Sequence, residues 1–387
     1  MSQPQRPLDR IEDAIEDIKN GKVIIVVDDE DRENEGDFVA AARFATPEMI
    51  NFMATEGRGL ICAPLVEDRC DALGLDLMVS RNNAAYETPF TVSVDLVGHG
   101  CTTGISAADR SKTINALIDP SIRPEELGRP GHIFPLRARK GGVLRRAGHT
   151  EAAIDLARLA GLEPAGVIVE IMNADGTMAR LPELLEMASR LDMRIVSIED
   201  LIAYRIANDT LIQRTGSREI QTAHGPFTLH TYRQTTDDSE HFALTKGQWK
   251  PDAAVPVRMH ASNPHLDLLQ DSALGKGHTL QRAMTKLGAE EFGALVYLQK
   301  PEISWENTLQ QDVQSQHPSN DKAHLSAAEV TRRQGRAFGL GAQILRDLGI
   351  QRLQLMSDTA TVTKGMTLYG IEITEVISVG EHPSATT

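Results

Sequence analysis

Cysteine is scarce in this chain: Cys62, Cys70 and Cys101 are the only three among 387 residues, with no Cys-x-x-Cys pair. An odd number at such spacings excludes a disulfide framework and a four-cysteine zinc site, and each thiol is expected to be a small buried hydrophobe. Basic charge is also short, with 40 Lys and Arg against 54 Asp and Glu and a net charge of −14. Such a surface releases few counterions from nucleic acid, so no nucleic-acid partner is expected, although a local arginine cluster can still hold an anionic substrate. Long apolar runs are missing as well. No stretch approaches about 18 consecutive apolar residues and Met1-Ser2-Gln3-Pro4 has no apolar signal core, so the expectation is a soluble, cytoplasmic protein with no membrane partner.

The chain does have length and apolar content, 41% hydrophobic over 387 residues, which favours two or three domains over one core. The first half alternates helix-like and strand-like segments. Helical spacing covers Leu8 to Lys19, Pro47 to Glu56, Ala107 to Ile118, Thr150 to Ala160, Pro182 to Leu191 and Ile202 to Ala207. Strands are expected at 23–27, 59–63, 90–96, 166–172 and 194–198. This is an α+β or α/β unit. From Asn208 to Gly225 the chain turns polar without a period, and the domain boundary is placed there, giving domains 1–208 and 209–387. Beyond it strands are expected at 227–232, 242–246, 255–259, 294–298, 353–356 and 371–376, with helices over 279–287 and about 326–348, and a mobile polar stretch over 302–323. No Walker loop or complete dinucleotide fingerprint is present.

Chemistry concentrates in the first half. The apolar run Val23-Ile24-Ile25-Val26-Val27 empties into Asp28-Asp-Glu-Asp-Arg-Glu-Asn-Glu-Gly-Asp37, seven carboxylates around one arginine. Carboxylates on a turn suit hard cations and the arginine suits phosphate or sugar oxygens, while a plain solvated acidic loop is the alternative. Arg146 and Thr150 at a helix start make a phosphate cradle from charge, hydroxyl and backbone N–H groups, with Thr150 as a simple N-cap the bland reading. His149 between them is either a metal ligand or a structural histidine. Glu170 interrupts the apolar run 167–172, where desolvation would raise its pKa and suit proton transfer, unless an arginine pairs with it.

These segments, with Thr102-Thr-Gly-Ile-Ser-Ala-Ala-Asp-Arg110, Arg129-Pro-Gly-His132 and Gly148-His-Thr-Glu151, resemble in order the motif set of 3,4-dihydroxy-2-butanone 4-phosphate synthase over about residues 6–208. The resemblance implies an α/β sandwich that converts D-ribulose 5-phosphate to the butanone phosphate and formate in riboflavin biosynthesis, with Mg²⁺ or Mn²⁺ and as a homodimer. It places metal ligation on Glu33 and His149, and substrate contacts on Arg32, Glu33, Asp37, Arg146, Ala147, Gly148, His149, Thr150 and Glu170. His132 and Glu170 take the essential catalytic positions; Cys62 and Thr103 are weaker candidates.

Residues 209–387 resemble GTP cyclohydrolase II more faintly, through His241-Phe-Ala-Leu-Thr-Lys-Gly247, Arg258-Met-His260 and 339–349, implying a second α/β domain. That family holds zinc with three cysteines, and here Asn263, Leu274 and Lys276 align with them. Asparagine, leucine and lysine do not replace thiolates around Zn²⁺, so no zinc and no cyclohydrolase activity are expected of this half. A bifunctional enzyme opening GTP by another route, and a regulatory module that binds a nucleotide or flavin, are the alternatives.

Overall fold

β1 (Ile24–Val27) is buried at all four positions because it lies inside a sheet covered on both faces. The structure, a computed structural model, describes residues 7–30, 32–84, 86, 88–270, 278–299, 339–357 and 371–379. The chain divides into two units, Met1–Arg205 and Ile206–Thr387.

In the first unit β1 pairs antiparallel with β2 (Gly36–Ala41) and parallel with β7 (Ile195–Ser197). The full order is β4-β5-β3-β6-β2-β1-β7, with β3 at Cys62–Val66, β4 at Val94–Leu96, β5 at Leu127–Ala138 and β6 at Gly166–Glu170. Side chains alternate between the faces. Ile25, Val27 and Phe38 join a core with Ile50, Met53, Ile114, Leu117 and Leu184, which come from α2 (Pro47–Glu56), α4 (Ala107–Ile118) and α6 (Leu181–Arg190). On the sheet, α5 (His149–Leu159) packs across β1, β2, β3, β5 and β6 beside α1 (Ile11–Lys19). Its alanines permit the close approach: a Cβ added to Gly166 would stand 2.8 Å from the Cβ of Ala153. Local chemistry sets the helix starts. Thr46 accepts from the Met49 N–H ahead of Pro47, and Ser106 accepts from the Asp109 N–H. α3 (Glu67–Ala72) and α7 (Ile198–Asn208) complete this part of the chain.

The second unit is another mixed seven-stranded sheet, ordered β14-β13-β11-β12-β10-β9-β8. Its strands are β8 (Ile212–Thr222), β9 (Gly225–Gln234), β10 (Glu240–Lys246), β11 (Ala254–Ala261), β12 (Gly293–Leu298), β13 (Arg352–Met356) and β14 (Glu372–Ile377). One face packs Val257, Val296 and Leu355 with Ala342, Ile344 and Leu345 of a helix over 339–347. The other packs Leu244 and Leu295 with Ala283, Met284 and Leu287 of a helix at Thr279–Ala289, which follows a short one at Pro264–Leu269.

Several elements differ from the sequence expectation. The polar stretch chosen as the boundary contains β8, an edge strand whose side chains are mostly exposed, which is why it shows no apolar alternation. β2, α3, β5 and the helix at Pro264–Leu269 were not anticipated either, and the strand expected at 59–63 lies at Cys62–Val66. The polar stretch over 302–323 and the first part of the helix expected over 326–348 lie outside the described residues. No helix among the described residues is long and apolar enough to cross a membrane.

Candidate metal centre and active site

Because β1 and β2 are antiparallel neighbours with Val27 opposite Gly36, the acidic segment is the loop joining them. Asp28 shapes it. One carboxylate oxygen accepts the Glu35 N–H at 2.9 Å, and the other accepts the Glu33 N–H at 3.1 Å and Arg32 Nη1 at 2.8 Å. Arg180 closes the loop from behind, donating to the carbonyls of Glu33 and Asn34. Glu33 is thereby turned towards His149, the first residue of α5.

His149 is buried, and its Nε2 lies 3.1 Å from the carbonyl oxygen of Val26. A carbonyl only accepts, so Nε2 carries a proton and donates, leaving Nδ1 to face Glu33 Oε2 at 3.7 Å and Asp37 Oδ1 at 3.9 Å. A metal-binding imidazole is oriented in the same way, by a hydrogen bond from its other nitrogen. Donor atoms of Asp28, Glu33 and His149 lie within 4.8 Å of one another. Asp28 is already engaged three times by the loop, so Glu33, although paired with Arg32, and His149 are the candidates to hold a cation. One carboxylate and one imidazole would leave most positions open for water and substrate oxygens, which suits a hard divalent cation.

Charge is tightly coupled here. Burial pushes the Asp37 carboxyl up to about 7, with Glu170, Glu33 and Glu35 adding to the rise against the opposing pull of His149. Burial alone would lower His149, but Asp37, Glu33 and Asp28 outweigh it and hold the imidazolium to about 9. Burial also opposes ionisation of Glu33, yet the hydrogen bond with His149 and the charge of Arg32 bring it down to about 2. Without a metal, the imidazolium is the cation that these carboxylates surround.

Beside this centre lies a cavity of about 270 Å³ lined by Arg32, Glu33, Asp37, Arg146, His149, Thr150 and Glu170 of the sequence-derived set. Arg146 Nη1 donates to the fully buried Glu151 at 2.7 Å, which fixes the guanidinium at the start of α5. Gly148, not Thr150, is the N-cap, so the N-cap reading of Thr150 is corrected: Thr150 sits buried in the first turn. A Cβ on Gly148 would lie 2.4 Å from Arg146 Nη1 and 3.2 Å from Arg32 Nη2, so the absent side chain is what lets both guanidiniums converge on the helix start. The N-terminal amides and dipole add further attraction for an anion. Ala147 is in the turn before Gly148 and does not line the cavity.

Glu170 ends β6 opposite Asp37 of β2, and its Oε2 accepts the Leu60 N–H at 2.9 Å; this backbone contact stands where an arginine pair was the alternative. Gly59 makes room for it, since a Cβ there would meet Glu170 Oε2 at 2.7 Å. Glu170 and Glu35 also border a second cavity of about 480 Å³ that includes Arg58, Leu60, Met172 and Met178. Cys62 lines the first cavity, but burial raises its thiol far above neutrality, which keeps it protonated and weakly nucleophilic. Thr103 does not line it.

His132 stands apart. It is exposed on β5 and does not line either cavity. On the strand it shares a face with Leu136, which does line the first, and lies about 13 Å from it by the strand rise. Asp95 holds the ring, with Oδ2 at 2.6 Å from Nδ1 and Oδ1 accepting the His132 N–H at 2.8 Å. Asp95, Tyr86 and Glu35 were not singled out from sequence. Glu35 had a signal, being in the acidic motif, whereas nothing local marks Asp95, 37 residues from its partner.

The arrangement is a candidate divalent-cation site beside an arginine-lined cavity suited to an anion, the kind of site a metal-dependent enzyme carries, and comparison with known proteins supplies the class. The family model for 3,4-dihydroxy-2-butanone 4-phosphate synthase matches residues 12–204, and that for GTP cyclohydrolase II matches residues 213–378. A Cytophaga hutchinsonii protein named riboflavin biosynthesis protein RibBA is 51% identical across 98% of this chain and 94% of its own. One of the same name from Parabacteroides distasonis is 46% identical across 97% and 93%. The chain therefore belongs to the family in which a 3,4-dihydroxy-2-butanone 4-phosphate synthase domain is fused to a GTP cyclohydrolase II domain, and it is a 3,4-dihydroxy-2-butanone 4-phosphate synthase of riboflavin biosynthesis. Among solved structures, RibBX from A. baumannii, described as a two-domain synthase of this kind, is 39% identical with a TM-score of 0.72, over 95% of this chain and 99% of that one. A synthase solved in complex with two magnesium ions is 43% identical with a TM-score of 0.50, over 52% of this chain and 99% of its own. Divalent-metal dependence follows for the synthase unit.

In the second unit Asn263 is a helix N-cap, its side chain accepting the Leu266 N–H, while Leu274 and Lys276 lie outside the described residues. His260 Nε2 is 2.8 Å from Asp267, which also accepts from the Tyr297 hydroxyl. The three cysteines of the chain are all in the first unit.

Proposed function

We propose that the synthase converts D-ribulose 5-phosphate to 3,4-dihydroxy-2-butanone 4-phosphate and formate using Mg²⁺ or Mn²⁺ held by Glu33 and His149, and that its second half opens no GTP. The observation that carries the first part is the convergence of His149 Nδ1, Glu33 and the Arg32 and Arg146 guanidiniums on one cavity. A bound divalent cation supplies Lewis acidity to the substrate's carbonyl and hydroxyl oxygens. Arg146, Arg32, Thr150 and the amides of Gly148 and His149 bind the phosphate, and Ala147 carries that turn. Asp37 receives substrate hydroxyls. Glu170, held by Leu60, moves protons at the sugar carbons.

His132 works from a second copy of the chain. Its imidazole is oriented by Asp95 yet lies outside the cavity of its own chain, and Val97, Ile105, Leu77, Met78 and Val79 expose apolar side chains on this unit. A homodimer in the cytoplasm covers those side chains and brings His132 to the neighbouring site.

The silent second half rests on donor chemistry: no thiolate is available there, and the one described residue at a zinc-ligand position spends its side chain on a helix cap. The two-domain synthase from A. baumannii, similar over nearly the whole chain, is consistent with it. The match of residues 213–378 to the cyclohydrolase family favours the second reading, a bifunctional enzyme or a module that keeps a nucleotide or flavin pocket. Purified chain given ribulose 5-phosphate or GTP in separate reactions, with formate and bound zinc measured, decides. Formate from the sugar phosphate alone, without zinc, is expected; formate from GTP would overturn the second part.

A further inference from the structure

Tyr86, in the stretch between α3 and β4, touches both substrate-facing arginines. Its hydroxyl donates to the carbonyl oxygen of Arg32. The Arg32 guanidinium carbon lies 5.2 Å from the ring centroid, over the aromatic face. Its own carbonyl accepts Arg146 Nη2 at 3.1 Å. The ring borders the cavity while remaining 43% exposed.

The electrostatics explain why such a residue is needed. Two guanidiniums crowd Gly148 at the positive end of α5, an arrangement that repels itself unless electron-rich groups hold each in place. Carboxylates restrain one edge of each: Asp28 and Glu33 hold Arg32, and Glu151 holds Arg146. Tyr86 supplies an electron-rich ring face to the first and a carbonyl oxygen to the second.

We propose that Tyr86 is a positioning residue for phosphate recognition, bridging Arg32 and Arg146 so that both face the incoming phosphate before it binds. The phosphate takes over Nη2 of Arg146 from the Tyr86 carbonyl, and the ring stays under Arg32. This inference rests on the proposed roles of the two arginines. It adds a residue outside every motif that carried the family resemblance.

The test uses the full-length chain with Tyr86→Ala and Tyr86→Phe. Tyr86→Ala loses the ring and hydroxyl that anchor the carbonyl. Its KM for ribulose 5-phosphate and its Kd for inorganic phosphate by calorimetry should each rise about tenfold, with kcat reduced less than about threefold. Tyr86→Phe keeps the ring and should fall between, at about threefold. Mn²⁺ affinity, read at Glu33 and His149, should stay within about twofold of wild type in both, which a general loosening of the site would not allow. Unchanged KM and phosphate Kd in Tyr86→Ala overturn the proposal, as does loss of kcat or Mn²⁺ affinity with KM unchanged. The phosphate calorimetry reads Tyr86 without turnover. A wild-type chain that binds phosphate but releases no formate would fail the proposed reaction, not the role of Tyr86.

Discussion

The imidazole of His149 is pinned by Val26: Nε2 is 3.1 Å from that carbonyl oxygen, so Nδ1 points at Glu33. A strand carbonyl therefore decides which nitrogen faces the carboxylates, and the strand that supplies it ends at the loop that supplies Glu33. The carboxylates around His149 hold its proton up to about pH 9 when no metal is bound.

With His149 as a metal ligand, as proposed above, metal and proton compete for that one nitrogen. Below about pH 9 the cation must expel the proton, so apparent Mg²⁺ or Mn²⁺ affinity should rise with pH and level off above about 9. Calorimetry at pH 7.5 in buffers of differing ionisation enthalpy should report about one proton released per metal bound. Affinity that is flat from pH 7 to 9 would contradict this coupling. Stability of the EDTA-treated chain carries the same sign. The folded-state pKa is raised above the ordinary 6.5, so the stabilisation by charged His149 is complete below 6.5 and lost as pH climbs through about 9. The melting temperature of the first unit should fall across that window.

Gly148→Ala should injure binding more than folding. The backbone at Gly148 has φ −128°, which alanine adopts, and the atom its Cβ meets at 2.4 Å is the far end of Arg146. The tip of Arg146 must shift off the helix start, while the buried Glu151 keeps the Arg139 N–H as a partner. KM for the sugar phosphate should rise about tenfold, corresponding to about 1.4 kcal/mol, while the melting temperature moves little. Steady-state kinetics beside a thermal melt separates the two; a large loss of stability with normal KM would contradict the geometry.

The first unit needs its last helix. Arg205 of α7 is 4% exposed and donates to Asp155 at 2.7 Å and to the Gly141 carbonyl at 2.6 Å, while Asp155 accepts the Val143 N–H. A fragment ending after Asn208 should fold and release formate. Arg205→Met leaves a buried carboxylate short of its main partner and should cost about 3 kcal/mol. Chemical denaturation of the fragment with and without the substitution measures this, and equal midpoints would contradict it.

What the sequence showed, and what it hid, follows from range. The helices starting at Pro47 and Ala107 carry their own caps in Thr46 and Ser106, so their N-termini are readable within a few residues. Arg32, Glu33 and Asp37 fall in one motif and Arg146, His149 and Thr150 in another, both visible as unusual local chemistry. β2 was hidden because Gly36 and Asp37 open it, and a strand whose first residue is glycine and second a buried carboxylate looks like loop. β8 was hidden because an edge strand exposed along its length has no apolar period. Tyr86 and Asp95 act on residues 54 and 37 positions away, and only the fold brings them together. The position of His132 outside its own cavity is likewise a fact of register along β5, which its motif does not encode.

Direct Mn²⁺ binding, by electron paramagnetic resonance on the wild type, Glu33→Ala and His149→Ala, tests the centre of this account. Wild type should bind with formate release from ribulose 5-phosphate restored as the metal is added back after EDTA. Each alanine variant should lose at least about tenfold in affinity and release almost no formate. Wild-type affinity and turnover in either variant would mean that Glu33 and His149 do not hold the metal.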